Sequence, residues 1–385
     1  MVTASPSVRP WYRPMRPRRR DEPHRAATNL ELFFDLCFVV AVTQAAGALH
    51  DALAEGRPGH AVLAYLLVFF AIWWAWMNVT WFASAYDTDD DVYRLTILAQ
   101  IAGALILAAG VPEAFASADF ATVTVGYVVL RLAAVANWLR AAGGDPAHRR
   151  SALRYATGVT LVQVGWLVRL LVPPELGLPS FLLLILAELL VPALAERTGT
   201  TPWHPRHIAE RYGLFTLIVL GEVVLAVTVA VQTGVDAGDD GLWPVAAAGA
   251  AIVFALWWLY FDRPVDVPTR LRRALSWGYG HYVVFAGLAA VGAGLAVTVD
   301  HRRHPDQVDG LLTGYAVAVP VAVVLLVLWG LRILAYRRRT VRVAIPVTAT
   351  AVLLTPLVPA SVYLVALLLV SLVAVTRWPS ARTPR

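Results

Sequence analysis

Twelve apolar runs, each about as long as a bilayer is thick, leave this chain few ways to fold. A hydrocarbon core of roughly 30 Å takes about 20 apolar residues of helix to cross. Backbone in lipid must also satisfy its own hydrogen bonds, so runs of that length are read as helices. Hydropathy and chain breakers place them at about 29–49, 61–84, 93–111, 119–139, 152–172, 180–196, 208–231, 242–261, 274–298, 310–334, 341–357 and 359–376. The predicted class is therefore all-α, a polytopic α-helical membrane protein with about 12 transmembrane helices. Composition agrees: 15% of residues are charged and mean hydropathy is +0.63, whereas a soluble domain is roughly 25% charged. Pro356 and Pro359 leave the last two runs almost no loop, so a re-entrant hairpin also fits there.

Charge orients the helices. All 32 basic residues are Arg. With the N-terminus in the cytoplasm, 27 of them fall in inner tails and loops and three (Arg57, Arg302 and Arg303) in outer loops, while Arg131 and Arg169 lie inside runs. That asymmetry is the positive-inside signature and predicts a multi-pass plasma-membrane protein with both termini cytoplasmic. The basic pI of about 9.7 then reflects loop arginines and not a nucleic-acid surface. The single cysteine, Cys37, excludes an internal disulfide. Arg18-Arg19-Arg20 ahead of an apolar run, with Ala52-Leu53-Ala54 as a cleavage site, has the outline of a secretion signal. Two acids inside the run argue that the first helix is retained.

The predicted organisation is an Arg- and Pro-rich disordered cytoplasmic tail (1–28), a six-helix half (29–200), a second six-helix half (201–376) and a short tail (377–385). A weak internal repeat supports the halves. Trp73-Trp74 precede the acidic loop from Asp87 to Asp91, and Trp257-Trp258 precede Asp262 and Asp266. Six helices per half leaves both halves the same way up, a parallel repeat. Tryptophan pairs at helix ends are also ordinary interfacial aromatics.

The residues that could carry chemistry are polar groups inside apolar runs, which are costly in lipid unless they face protein or water. Glu31 and Asp35 lie at i and i+4 on one helix face. Thr28-x-x-Glu31 has the form of a capping box, which explains Glu31 without a functional role; Asp35 has no such explanation. Glu222 falls near mid-membrane in the seventh run, which opens with Glu210 and Arg211. Arg131 in the fourth run and Glu188 in the sixth are its available charge partners. An Arg131–carboxylate pair would be a structural staple, and an unpaired Glu222 a proton-exchanging element. His281 in the ninth run reads as hydrogen-bonded structure or, less simply, as a ligand. No second His follows at i+4, so a zinc site has no support. Asp87, Asp89 and Asp90 offer the one cofactor site in the sequence, for Mg²⁺, unless they merely answer arginines of neighbouring loops.

Four ordered motifs carry a resemblance. They are Glu31-Leu-Phe-Phe-Asp35 with its continuation to Gln44, Trp73 to Trp76 leading to Tyr86 to Asp90, Glu210-Arg211 through Glu222, and Leu256 to Asp262. Together they resemble the bacterial low-temperature-requirement A family over about residues 25 to 375. The resemblance implies a polytopic bacterial plasma-membrane protein associated by name with growth in the cold, and it brings no substrate. It marks Glu31, Asp35, Asp87, Asp89, Asp90, Glu210, Arg211, Glu222 and Asp262 as family-motif positions.

The expected function is that of a transporter or channel-like protein, not an enzyme. Its polar path would be lined by Asp35, Glu222 and His281, with Arg131 or Glu188 as charge partner, for an unidentified small molecule or ion. The alternative is a Mg²⁺-dependent membrane enzyme acting on a lipid or lipid diphosphate at Asp87, Asp89 and Asp90. A sensor or scaffold for membrane state is the third reading.

Overall fold

In the computed structural model the described residues are 10–19, 26–86, 88–236, 238, 240–263, 267–332 and 338–377. Twelve long helices account for the twelve apolar runs one for one. They are α1 (Asn29–Ala54), α2 (Pro58–Ala85), α3 (Asp91–Ala116), α4 (Ala121–Gly144), α5 (Arg149–Arg169), α6 (Gly177–Ala195), α7 (Pro205–Asp236), α8 (Trp243–Phe261), α9 (Leu271–Arg303), α10 (Gly310–Arg332), α11 (Arg339–Leu354) and α12 (Ser361–Arg377). Among the described residues ten helices are long and apolar enough to cross a membrane. The others are α5, which carries Arg149, Arg150, Arg154 and Arg169, and α12, which has 17 residues. The chain is a polytopic α-helical membrane protein.

Local chemistry sets several helix ends. At the start of α1 the backbone N–H of Thr28 donates to Glu31 Oε2 (2.8 Å) and that of Glu31 donates to Thr28 Oγ1 (3.2 Å), a complete capping box. Asp90 caps α3 by accepting from the Tyr93 N–H at 2.7 Å. Within α3 the helix is interrupted at Gly110 and resumes as a short turn, Val111–Ala116. Pro205 opens α7, where its missing N–H has no intrahelical partner to lose.

By internal contacts the chain forms two compact units, Met1–Ala41 with Ala71–Arg211, and Val42–Phe70 with Tyr212–Arg385. In the first, α3 packs on α4, α4 on α5 and α5 on α6. The α3–α4 approach depends on glycine: a Cβ on Gly103 would lie 2.7 Å from the Gly126 carbonyl oxygen. Close approach through small residues is how membrane helices gain packing energy when lipid is as apolar as leucine. In the second unit, α9 packs on α10, α10 on α11, α11 on α12, and α12 returns against α8.

Part of the N-terminal tail departs from the disorder predicted by its composition. Residues 10–19 lie against the first unit, with Met15 fully buried. The Arg18 N–H donates to the Ala85 carbonyl (2.9 Å) and the Val92 N–H to the Trp11 carbonyl (3.3 Å). The Arg13 N–H reaches Asp90 Oδ2 at 2.7 Å. Backbone donors and acceptors were satisfied by specific partners, a contribution that Arg and Pro content does not register.

Candidate functional site

The first unit encloses two ionic clusters. One joins α1 and α7. Asp35 and Arg211 each lie six residues inside their helix, about 9 Å at roughly 1.5 Å per residue. Arg211 Nη2 and Nε donate to Asp35 Oδ1 (2.5 Å) and Oδ2 (3.1 Å), a bidentate pair. Trp76 Nε1 adds a donor to Asp35 Oδ1 at 2.7 Å. Glu31 completes the group, with Arg211 Nη1 at 3.1 Å and His207 Nε2 at 3.2 Å from its Oε1. Glu31 is thus both a helix cap and an ion-pair partner. Asp35 and Arg211 are fully buried, so each charge depends on the other. Glu210, on the same helix, accepts from the Ala27 N–H at 3.2 Å.

The second cluster centres on Glu188. Its carboxylate receives Trp74 Nε1 (2.9 Å) from α2, Tyr127 OH (2.7 Å) and Arg131 Nη2 (2.9 Å) from α4, and Gln163 Nε2 (3.0 Å) from α5. The two partners that the sequence offered Glu222, Arg131 and Glu188, pair with each other instead. Four donors around a buried carboxylate stabilise its charge where water cannot.

The acidic loop has its own cations. Asp89 takes Arg94 Nε at 2.9 Å, and Asp90 takes Arg140 Nη2 at 2.6 Å besides its cap and its Arg13 contact. Asp87 lies outside the described residues. Among the described residues no three His, Cys, Asp or Glu side chains group as a metal site. Just beyond α6, Glu196 accepts from the Thr201 N–H and hydroxyl (both 2.7 Å) and from Tyr155 OH (3.0 Å). Burial holds its carboxyl above the ordinary 4.5, with those hydrogen bonds opposing part of the rise.

The second unit treats its polar groups differently. His281 is buried, its Nδ1–H donating to the Trp277 carbonyl (2.8 Å) and its Nε2 accepting from Tyr260 OH (3.2 Å). That ring is fully used within the helix packing. Asp262, at the end of α8, faces Arg377 at 3.3 Å. Glu222 forms no hydrogen bond or ion pair among the described residues. It is half-buried and lines a groove of about 400 Å³ formed by the second half of α1 with α7 and α9. All lining residues of this groove belong to the second unit. The path expected from the sequence is corrected accordingly: Asp35 and His281 are each enclosed by their own partners, and of the three Glu222 is the one that lines this groove.

Several participants were missed in the sequence. Trp74 was read as half of a repeat or interfacial pair and Trp76 only as part of a family motif, yet both are fully buried and donate to carboxylates. His50 and Asp300 meet at 2.6 Å across 250 residues, with Asp51 on the other ring nitrogen of His50 at 2.9 Å. No local pattern announces such a pair.

The comparison with known proteins follows the same outline. The model of the family described as bacterial low temperature requirement A protein (LtrA) matches residues 26–377. Uncharacterized protein RA0937 of Rhizobium meliloti (strain 1021) is 26% identical over 302 residues, covering 74% of this chain and 72% of the relative. With a match that spans all twelve long helices, the chain belongs to the bacterial low temperature requirement A family.

Proposed function

We propose that this protein is a transporter whose working site is the Glu222 groove, coupled to protons or another cation. The observation that carries the reading is a carboxylate in mid-membrane without a partner among the described residues. Glu222 lies seventeen residues from the start of α7 and fourteen from its end. An acid at that depth is costly unless water, a proton or a cargo reaches it. The groove supplies that access, and the carboxylate can take up and release a proton as the access changes. The paired charges of the first unit support a fixed framework in the same reading. The arginine asymmetry supports cytoplasmic termini in a bacterial plasma membrane.

The test is proton flux in reconstituted vesicles under an imposed pH gradient. The wild-type protein dissipates the gradient, Glu222→Gln slows it at least about tenfold, and Glu222→Asp retains part of the rate. Equal flux in wild type and Glu222→Gln would remove this carboxylate from the mechanism. Absence of flux in the wild type would end the transport reading.

A further inference from the structure

We infer that the Glu222 groove binds an amphiphilic organic cation, one positive charge on a mostly apolar body, entering from the lipid phase. The inference rests on the reading of the groove as the working site and names what it would hold.

Charge complementarity comes first. Near Glu222 the lining is Val223, Ala226, Ala289, Gly292 and Ala293, none of which brings a compensating charge. Among the described lining residues the nearest arginine along the groove, Arg303, is at its far end. A Cβ on Gly234 would lie 3.3 Å from Arg303 Cδ, so Arg303 stands level with Gly234. Twelve residues of helix separate that level from Glu222, about 18 Å at roughly 1.5 Å per residue. Arg303 therefore cannot neutralise the carboxylate. His50 is held between Asp51 and Asp300. Among the described residues, a ligand that reaches mid-depth meets the single negative charge of Glu222.

The wall then selects the kind of cation. A hard metal ion takes about six oxygen ligands, whereas the mid-depth lining offers one carboxylate among alanine, glycine and valine side chains. An ammonium or phosphonium centre carried on hydrocarbon needs only the carboxylate and apolar contact. Size agrees: about 400 Å³ falls within the roughly 300–1,000 Å³ of small-molecule sites. Small residues make the space. A Cβ on Gly292 would come within 3.2 Å of Val223, whereas one on Gly47 would meet nothing within 4 Å. Gly47 lines the groove and has open space at its Cβ position, so it is the place to add bulk there.

The experiment is equilibrium binding of radiolabelled tetraphenylphosphonium to the full-length protein in nanodiscs of neutral lipid. Saturable binding is expected, weakened about tenfold or more by Glu222→Gln and by Gly47→Leu and largely kept by Glu222→Asp. Each variant is checked for an unchanged elution volume and helix content. Binding that is absent in wild type, unchanged in both Glu222→Gln and Gly47→Leu, displaced by excess sodium, or matched by tetraphenylborate overturns the inference. Flux through Glu222 without tetraphenylphosphonium binding would overturn the ligand class and leave transport standing. Binding without flux would uphold the ligand class and overturn transport.

Discussion

Glu188 and Glu222 are both carboxylates near the middle of membrane helices, and they have opposite surroundings. Glu188, in the first unit, collects four donors, one of them an arginine. Glu222, in the second, collects none among the described residues and borders open space. The first unit repeats its solution at Asp35, Glu31 and Asp90, each with an arginine. Its coverage is not total, since Arg131 keeps Nε and Nη1 without a hydrogen-bond partner among the described residues. An acid in lipid therefore says little by itself. The number of donors converging on it separates framework from working group.

The largest test of that contrast is Arg211→Met, which strands Asp35 and Glu31 in a buried site. A loss of about 3–5 kcal/mol is expected, read as a large drop in thermal stability of the detergent-solubilised protein. A transition at the wild-type temperature would show that the cluster contributes little. Next, Arg131→Leu and Glu188→Leu should each cost about 3 kcal/mol, and the double variant less than either single one. Additive losses would mean that the two side chains are not acting as a pair. Asp90→Ala removes a helix cap and the anchor of Arg13 and Arg140, for about 1–2 kcal/mol. The same change should expose Arg13, Arg16 and Arg18 to trypsin, and unchanged cleavage would show that the segment is held elsewhere.

A smaller effect concerns pH. Because burial raises the Glu196 carboxyl in the fold, the folded state binds its proton more tightly than the unfolded chain does. Its contribution to stability therefore falls as pH rises from about 4.5 towards the folded value, and is recovered on acidification. Glu196→Gln should flatten that part of the stability profile, and an identical slope in wild type and variant would remove this residue as the cause. Smallest of all is Glu222→Gln, expected to shift stability by less than about 0.5 kcal/mol while it slows flux at least about tenfold. A destabilisation like that of Arg211→Met would place Glu222 with the framework after all.

The helices were legible because lipid demands long apolar runs, and twelve runs became twelve helices. Their ends were less so. The seventh and ninth runs were read as 208–231 and 274–298, yet α7 and α9 extend to Asp236 and Arg303, because polar residues continue a helix beyond the hydrocarbon. The Thr28–Glu31 box was readable since its partners are three residues apart. Glu222 had two candidate partners, Arg131 and Glu188, and only the packing of α4, α5 and α6 joined those two to each other. The tryptophan pairs look alike in sequence and differ in place. Trp73 and Trp74 are 2% and 0% exposed, whereas Trp257 and Trp258 are 42% and 38% exposed.

Glu188 also has a consequence for biogenesis. Its donors come from α2, α4 and α5, while the acceptor arrives on α6. As helices enter the bilayer in chain order, α6 brings in a bare anion whose sheath is complete only when three earlier segments have docked. A misassembled intermediate therefore keeps an unsolvated charge in hydrocarbon, and that lasting disadvantage biases the nascent chain towards the one arrangement able to quench it.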